Sequence, residues 1–290
     1  MGLSRNAEGA RAVHAWNHAA SNIGDKMNRV ALRLAAISLA FLAWPASAAE
    51  RDFCAARPGQ ATPPCTLEPG RIMAEVGIAD WIHQRDAAGN ADTVLLGEAL
   101  FRAGLSQRAE VQIGWTPLGF VNRRDNANGR RSHNHGSGDL TLAVQRGLGR
   151  INGPAAVRLF ATVPTGSGTL AAGDWGGGAM LPLAFNLSDR LEVDLTPEID
   201  VAVNASRSGR HIAYGSVAGF GLDLHHHLSL AVDAALFRDR DPAGASSRAT
   251  ASTSLAWMAG RNLQLDVGVV AGLNGATPDR EAYFGFARRF

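Results

Sequence analysis

Carboxylates share one alternating phase in the segment from Arg190 to Asn204, with two on each side of Thr196. Glu192, Asp194, Glu198 and Asp200 alternate there with aliphatic residues. Because successive side chains of a β-strand point to opposite faces, this spacing predicts a strand with one apolar face and one acidic face. Carboxylates collected on one wall of a narrow polar passage repel anions and raise the local concentration of cations.

Other segments carry polar and large apolar side chains on the same phase as this acidic face. The further charged candidates for the face are Glu98, Glu110, Arg158, Asp233 and Asp266, and the same phase also contains Glu75, Asp139, Asp223, Arg102 and Arg248. The apolar candidates, which an aromatic or other apolar solute would need, are Phe160, Met180 and Phe237. Two interpretations stay open. The charges could form a salt-bridge network that seals an interior, or they could line a cation-tolerant passage.

The histidines and serines give no catalytic or metal signature. His133 and His135 form a His-x-His pair in a polar loop, and residues 225–227 are three histidines in a tight turn. Neither group has a carboxylate at ligand spacing, so solvated surface is the favoured interpretation of both. Ser132 beside His133 is no triad, and no Gly-x-Ser-x-Gly elbow occurs. The sequence predicts no catalytic residue, no metal site and no cofactor.

Cys54 and Cys65 are the only two cysteines in the chain. They flank a Pro-rich stretch and follow a predicted export signal. A cysteine pair in an exported segment indicates a disulfide that closes a small loop. Residues 49–69, which contain the pair, are predicted to form a periplasmic N-terminal arm or a partial plug.

Short segments of strict alternation run from about Arg71 to Phe290. Each has about the ~10 residues that a tilted strand needs to cross a bilayer. The segments begin near Ile72, Glu98, Ala109, Asp139, Val157, Ala179, Arg190, Ile212, Leu228, Thr253, Leu263 and Ala282. We therefore predict that residues 70–290 form an all-β fold, a transmembrane antiparallel up-and-down β-barrel of about 12 strands.

The connections between these segments alternate between short and long. Tight turns are predicted at 105–108, 187–190, 224–228 and 259–262, and longer loops at 84–92, 122–138, 164–177, 239–247 and 274–280. Short periplasmic turns and longer outer loops are typical of bacterial outer-membrane barrels. An even number of strands would leave both ends of the barrel on the periplasmic side.

The N-terminus has the pattern of an export signal. A basic stretch from Met27 precedes an apolar run from Leu34 to Trp44, and Ala46-Ser47-Ala48 resembles a cleavage site. Residues 27–48 are thus predicted to be a signal peptide, and residues 1–26 an extension upstream of the true start. The net charge is +2 without a basic stripe, which argues against a nucleic-acid partner.

Short motifs resemble an outer-membrane transporter family named for the meta-pathway of phenol degradation. They are Gly138-Asp139-Leu140-Thr141-Leu142 and residues 158–166, followed by glycine-rich alternation. The C-terminal Phe290 is similar to the end signal that the barrel assembly machinery reads. The resemblance implies a barrel of about twelve strands and passage of hydrophobic or aromatic compounds, and it supplies no catalytic residues.

The sequence as a whole predicts a transporter or channel for small molecules in the bacterial outer membrane, without enzymatic activity. Its expected partners are outer-membrane lipid, the barrel assembly machinery and a small-molecule solute. Two alternatives stay open. One is a structural or adhesive barrel with a sealed lumen, and the other is a barrel enzyme such as a lipase.

Overall fold

A computed structural model describes residues 51–290, and the segments of secondary structure in this range are all strands. The predicted signal peptide and upstream extension lie outside the described residues. Within 51–290 there is no helix long and apolar enough to cross a membrane. The strands are β1 (Ile72–Arg85), β2 (Gly89–Ser106), β3 (Ala109–Trp115), β4 (Leu118–Asp125), β5 (Arg131–Gly136), β6 (Leu140–Gly147), β7 (Ala156–Val163), β8 (Gly176–Met180), β9 (Leu183–Asn186), β10 (Leu191–Val203), β11 (Arg210–His225), β12 (Leu228–Asp239), β13 (Ser246–Gly260), β14 (Leu263–Gly272) and β15 (Arg280–Arg289).

These strands form one closed antiparallel sheet. β1 pairs with β2 on one side and with β15 on the other, which closes the ring. Three passages of the chain across the barrel wall, called crossings, are each divided into two strands. β3 and β4 both pair with β2 and make up one crossing, and β5 and β6, which pair with β4 and β3, make up the next. β8 and β9 both pair with β10 and make up the third. Pro117 and Pro182 stand in two of the gaps, where proline cannot donate to the ladder. The ring therefore has twelve crossings, and the predicted up-and-down barrel is confirmed.

The two faces of the sheet differ sharply in chemistry. Large apolar side chains point outward, and Phe101, Leu159 and Leu236 are each more than half exposed. Inward positions on the same strands are polar and covered, and Arg102 and Glu110 are 1% and 0% exposed. An apolar exterior around a polar interior, in a sheet closed by the pairing of β1 with β15, is the arrangement of a transmembrane β-barrel.

Two of the predicted outer loops are wrong, because strand pairing continues through them. β1 and β2 extend to a turn at residues 86–88, and most of the predicted 122–138 loop is the hairpin of β4 and β5. The side chains of these extensions are polar on both faces. Apolar alternation, the signal used to recognise strands, is therefore missing although the backbone ladder continues.

Aspartates tie the outer loops to one another. Asp174, in the loop before β8, accepts hydrogen bonds from the backbone amides of Trp175 (2.9 Å) and Gly209 (3.2 Å). The Trp175 bond is the main cause that lowers the pKa of Asp174. Asp241 accepts a bond of 2.6 Å from the amide of Ala205, which likewise lowers the pKa of Asp241. The loop between β10 and β11 is thereby held from both sides.

Candidate functional site

Residues 51–71, called the arm below, precede β1 and lie inside the barrel. The backbone amides at positions 57, 60 and 62 donate to Glu75 on β1 (3.0 Å), Asp233 on β12 (3.1 Å) and Thr196 on β10 (3.1 Å). β1 and β10 stand on opposite sides of the ring. Contacts with both strands mean that the arm crosses the lumen, as in the partial-plug arrangement.

A disulfide closes the part of the arm that crosses the lumen. Cys54 and Cys65 are bonded, with 6.5 Å between their Cα atoms, which confirms the pairing predicted from the sequence. Gln145 on β6 donates to the carbonyl oxygens of Pro63 (2.9 Å) and Cys65 (2.8 Å). The loop is therefore fixed to the wall beside its covalent closure.

Arg102 on β2 anchors the base of the loop. Its guanidinium donates to Glu110 (2.8 and 3.2 Å), to Glu75 (3.0 Å) and to the carbonyl oxygens of Cys54 (2.8 Å) and Cys65 (3.4 Å). These five bonds use all five donors of the group. Arg102, Glu75 and Glu110, called the anchor cluster below, have side chains that are 0–1% exposed. Glu110 also accepts a bond from an arm amide, at position 67 (2.8 Å).

A second charged contact comes from the arm itself. Arg57 places its guanidinium 2.8 Å from Asp266 on β14, with further contacts at 3.2 and 3.3 Å. It also lies 5.4 Å from the ring centre of Tyr283, whose hydroxyl donates to the carbonyl oxygen of Pro58 (2.5 Å). Of the predicted lumen acids, Glu110, Asp233 and Asp266 thus bind the arm and are not free to meet a solute.

The predicted acidic column on β10 extends to both sides of the arm. Thr196 is the arm contact, so Glu192 and Asp194 lie toward the tight-turn end of the barrel, and Glu198 and Asp200 toward the outer loops. None of these four acids forms an ion pair within the described range of the chain. One carboxylate oxygen of Asp200 is buried without a hydrogen-bond partner. The column therefore places carboxylates above and below the constriction, and the outer pair, Glu198 and Asp200, lies within the electrostatic reach of Arg248.

The large apolar candidates lie flat against the wall. A β-carbon built on Gly178 would come 2.7 Å from the ring of Phe160, and one on Gly215 would come 2.5 Å from the ring of Phe237. Each aromatic ring thus covers a glycine on the next strand, which brings the ring down onto the sheet. Met180 instead faces the arm, with its sulfur 3.7 Å from the hydroxyl of Thr62. The lumen between the walls is left to the arm and to polar groups.

The guanidiniums of the inner wall cover these same rings. Arg158 lies 5.4 Å from the ring centre of Phe160, and Arg248 lies 6.0 Å from that of Phe237. Arg158 also donates to Gln112 (2.9 Å). The two guanidinium groups therefore cover part of the aromatic surface in the lumen. The interior becomes more polar as a result.

Cavities remain on both sides of the arm. One of about 340 Å³ lies between the arm and the wall of β2 to β7, and Glu98, Asp139 and Arg158 line it. A larger one of about 820 Å³ lies at the tight-turn end, where Asp52 on the arm faces Asp223 on the wall. The arm, together with the buried wall side chains that bind it, lies between these two spaces.

The arm side of these contacts had no sequence signal. The alternation of side chains along each strand was enough to predict which wall residues face inward, including Arg102 and Glu75. Nothing in the spacing of Arg57, Gln60 and Thr62 marks them as partners of the wall. Within the described residues, no group of three or more potential ligands could hold a metal ion. His133 contacts Asn122 (2.6 Å) on the neighbouring strand.

Comparison with solved structures gives a match in fold to an outer membrane channel. An outer membrane channel from Pseudomonas putida F1 superimposes with a TM-score of 0.63 at 15% identity, over 80% of this chain and 99% of that one. The NanC porin (TM-score 0.48, 8% identity, 75% of this chain and 98% of that one) and the CymD monoaromatic hydrocarbon channel (0.44, 9%, 77% and 89%) resemble it less. At these identities the likeness concerns the fold alone. No curated protein matches the sequence significantly. The profile of the family described as "Putative MetA-pathway of phenol degradation" matches residues 55–290, and the chain therefore belongs to that family.

Proposed function

We propose that this protein is a bacterial outer-membrane channel that passes small solutes, with the arm as its constriction. The observation that carries the proposal is the pair of polar cavities, of about 340 and 820 Å³, on opposite sides of the arm. A barrel built only as a scaffold has no need of polar space on both sides of a single segment. Twelve crossings lie between the eight strands that side chains fill and the sixteen that leave a wide channel.

The charges of the lumen favour cations and neutral solutes. Glu192, Asp194, Glu198 and Asp200 have no ion-pair partner within residues 51–290, whereas Arg57 and Arg102 are bound to carboxylates. Arg158 and Arg248 also face the passage, so these four carboxylates outnumber the two lumen arginines that are not bound to a carboxylate. Small aromatic compounds, which the family's name suggests, would meet Phe160 and Phe237 only at ring surface that the arginines leave open.

An enzymatic role finds no support in the geometry. Ser132 and His133 are neighbours in β5, so their side chains point to opposite faces of the strand. The ring of His133 is engaged by Asn122. We expect no hydrolysis of lipid substrates by the purified protein.

Conductance in planar bilayers tests the proposal. We expect small cation-selective currents, whose selectivity fades at high salt as the carboxylates are screened. Replacing Glu192, Asp194 and Asp200 by their amides should lower the cation preference without loss of assembly. The matched control is Asp92→Asn, whose carboxylate lies on the outer face of β2 and accepts a hydrogen bond from Trp81. If the wild-type protein neither conducts nor takes up solute in liposomes, the sealed structural barrel is the better reading.

The arm's part in the constriction has its own test. Arg57→Ala removes the ion pair to Asp266 and should raise the conductance, because the arm then samples undocked positions. Arg238→Ala removes an exposed arginine on the outer face of β12, where it donates to Ser247, and should leave the conductance unchanged. Equal currents for wild type and Arg57→Ala would show that solutes do not pass by the arm.

A further inference from the structure

Three of four neighbouring strands carry arginines at one level of the outer wall. β-Ladder pairing aligns Arg85 on β1 with Asn90 on β2, Asn90 with Arg124 on β4, and Arg124 with Arg131 on β5. Directly paired residues share a face of the sheet. Arg85, Arg124 and Arg131 therefore form a row, called the arginine stripe below, that spans about 15 Å at roughly 4.8 Å per strand.

The guanidinium groups of the stripe form no ion pair with the described residues. All three side chains are exposed, and none lies within ion-pair distance of a carboxylate. The nearby acids are engaged elsewhere. Asp86 pairs with Arg123 (3.7 Å), and Asp92 accepts bonds from Trp81 (3.1 Å) and contacts His83 (2.9 Å). Asp125 accepts a hydrogen bond from a backbone amide in its own turn, and Asp279 accepts one from the backbone amide of Arg85.

Such a row is unfavourable unless an anion accompanies it. Arg124 and Arg131 stand directly opposite each other, and like charges in cross-strand positions destabilise a sheet. Guanidinium groups bind phosphate in a bidentate manner. A ligand with one or more phosphate groups would turn this repulsion into attraction.

The stripe lies at the depth of lipid headgroups. Four residues nearer the membrane, the same outer face carries Trp81, Val94 and Phe120 in one row. Aromatic rows of this kind mark the membrane interface. Four residues of a strand tilted by about 40° rise roughly 10 Å, and long arginine side chains reach back toward the membrane. The guanidiniums can therefore meet phosphates at the membrane surface.

An apolar groove lies on the same wall, just beside the aromatic row. It has a volume of about 550 Å³, and Trp81 forms one side while Thr253, Val269, Ala271 and Ala282 form the floor. Small floor residues next to a large indole create the depression. Trp81 is fixed by its bond to Asp92 and by stacking on His83. Arg280, also exposed, stands at the upper end of the groove.

We infer that this wall binds a phosphorylated lipid of the outer leaflet, with its phosphates on the arginine stripe and Arg280 and one acyl chain in the groove. Charge complementarity and the apolar groove below the charges select a lipid over a soluble anion. The site lies on the outside of the barrel. It is independent of whether solutes pass through the lumen.

Thermal unfolding of the purified full-length barrel in a neutral detergent tests the site. Lipid A with two phosphates should raise the unfolding temperature in a concentration-dependent way, and its dephosphorylated form should not. Arg124→Gln combined with Arg131→Gln should weaken the apparent affinity at least tenfold. Ala271→Trp, which fills the groove and keeps every charge, should also weaken it.

Arg123→Gln is the matched control, since it removes the neighbouring arginine on the opposite face of the same strand. We expect it to bind lipid A as the wild type does. Equal weakening by Arg123→Gln would show that only total charge matters and would overturn the inference. The inference also fails if inorganic phosphate alone gives the full stabilisation, or if dephosphorylated lipid A stabilises as well as the phosphorylated form.

Discussion

Removal of the Arg102 guanidinium is the most direct perturbation of the constriction. In Arg102→Met, the five hydrogen bonds of this group are lost, and Glu75 and Glu110 keep their buried carboxylates without a base. Breaking a buried ion pair by removing one partner costs about 3–5 kcal/mol. The barrel ladder does not involve the side chain of Arg102, so the cost should fall on docking of the arm.

The size of the effect follows from that cost. At about 1.4 kcal/mol for each factor of ten, the ratio of docked to undocked arm should fall by roughly a hundredfold to a few thousandfold. Once the arm leaves, water can reach both glutamates, which relieves their burial. We therefore expect a folded barrel with a mobile arm and a larger conductance.

Hydrogen exchange measured by mass spectrometry on the peptide covering residues 52–67 provides the assay. The amides at 56, 57, 60, 62 and 67 are bonded to wall side chains and should exchange much faster in Arg102→Met. Arg158→Met is the control, because Arg158 faces the lumen but, within residues 51–290, donates to Gln112 and Met180 and not to the arm. Unchanged arm protection together with unchanged conductance in Arg102→Met would refute the assignment of the anchor cluster.

Three further outcomes are expected. Val193→Arg, on the lipid face of β10, should destabilise the barrel by about 2–4 kcal/mol, while Asp194→Asn should fold normally; heat-modified mobility on gels compares them, and equal damage would contradict the assigned faces. Cys54→Ser should leave the barrel folded but weaken arm docking by up to about 3 kcal/mol, seen as faster exchange in the arm, and an unaffected arm would show that the wall contacts suffice. The lowered pKa values of Asp174 and Asp241 mean that their loop contacts are complete above the ordinary aspartate pKa of about 3.9 and are lost as the pH falls through the still lower folded values; exchange in the outer loops should rise in that acidic window, and a rise already at neutral pH would contradict this.

Strand patterns in the sequence were sufficient where one face of a strand is apolar and the other is polar. The alternation from Arg190 to Asn204 locates β10 (Leu191–Val203) almost to the residue. The outer parts of β1 and β2 gave no such signal, because His83, Gln84 and Arg85 are polar on both faces. Those residues leave the membrane, so neither face needs to be apolar.

The constriction could not be read from the sequence in the same way. Phase selects Glu110 and Asp266 as inward residues, but it does not say whether they face a solute or the arm. Their partners depend on the path of the arm, which has no regular secondary structure and therefore no periodic sequence pattern. Arg57 meets Asp266 across 209 positions of the chain, a contact that only the closed ring creates.

The disulfide within the lumen sets an order of events during maturation. Cys54 and Cys65 lie inside a ring that pairs the first strand with the last, where a folded thiol oxidase has no room to enter. Covalent closure of the loop should therefore come before the arm docks in the lumen, while both cysteines are still accessible in the periplasm. In a bacterial strain that lacks the periplasmic thiol oxidase, the two cysteines should then stay reduced after the barrel has assembled.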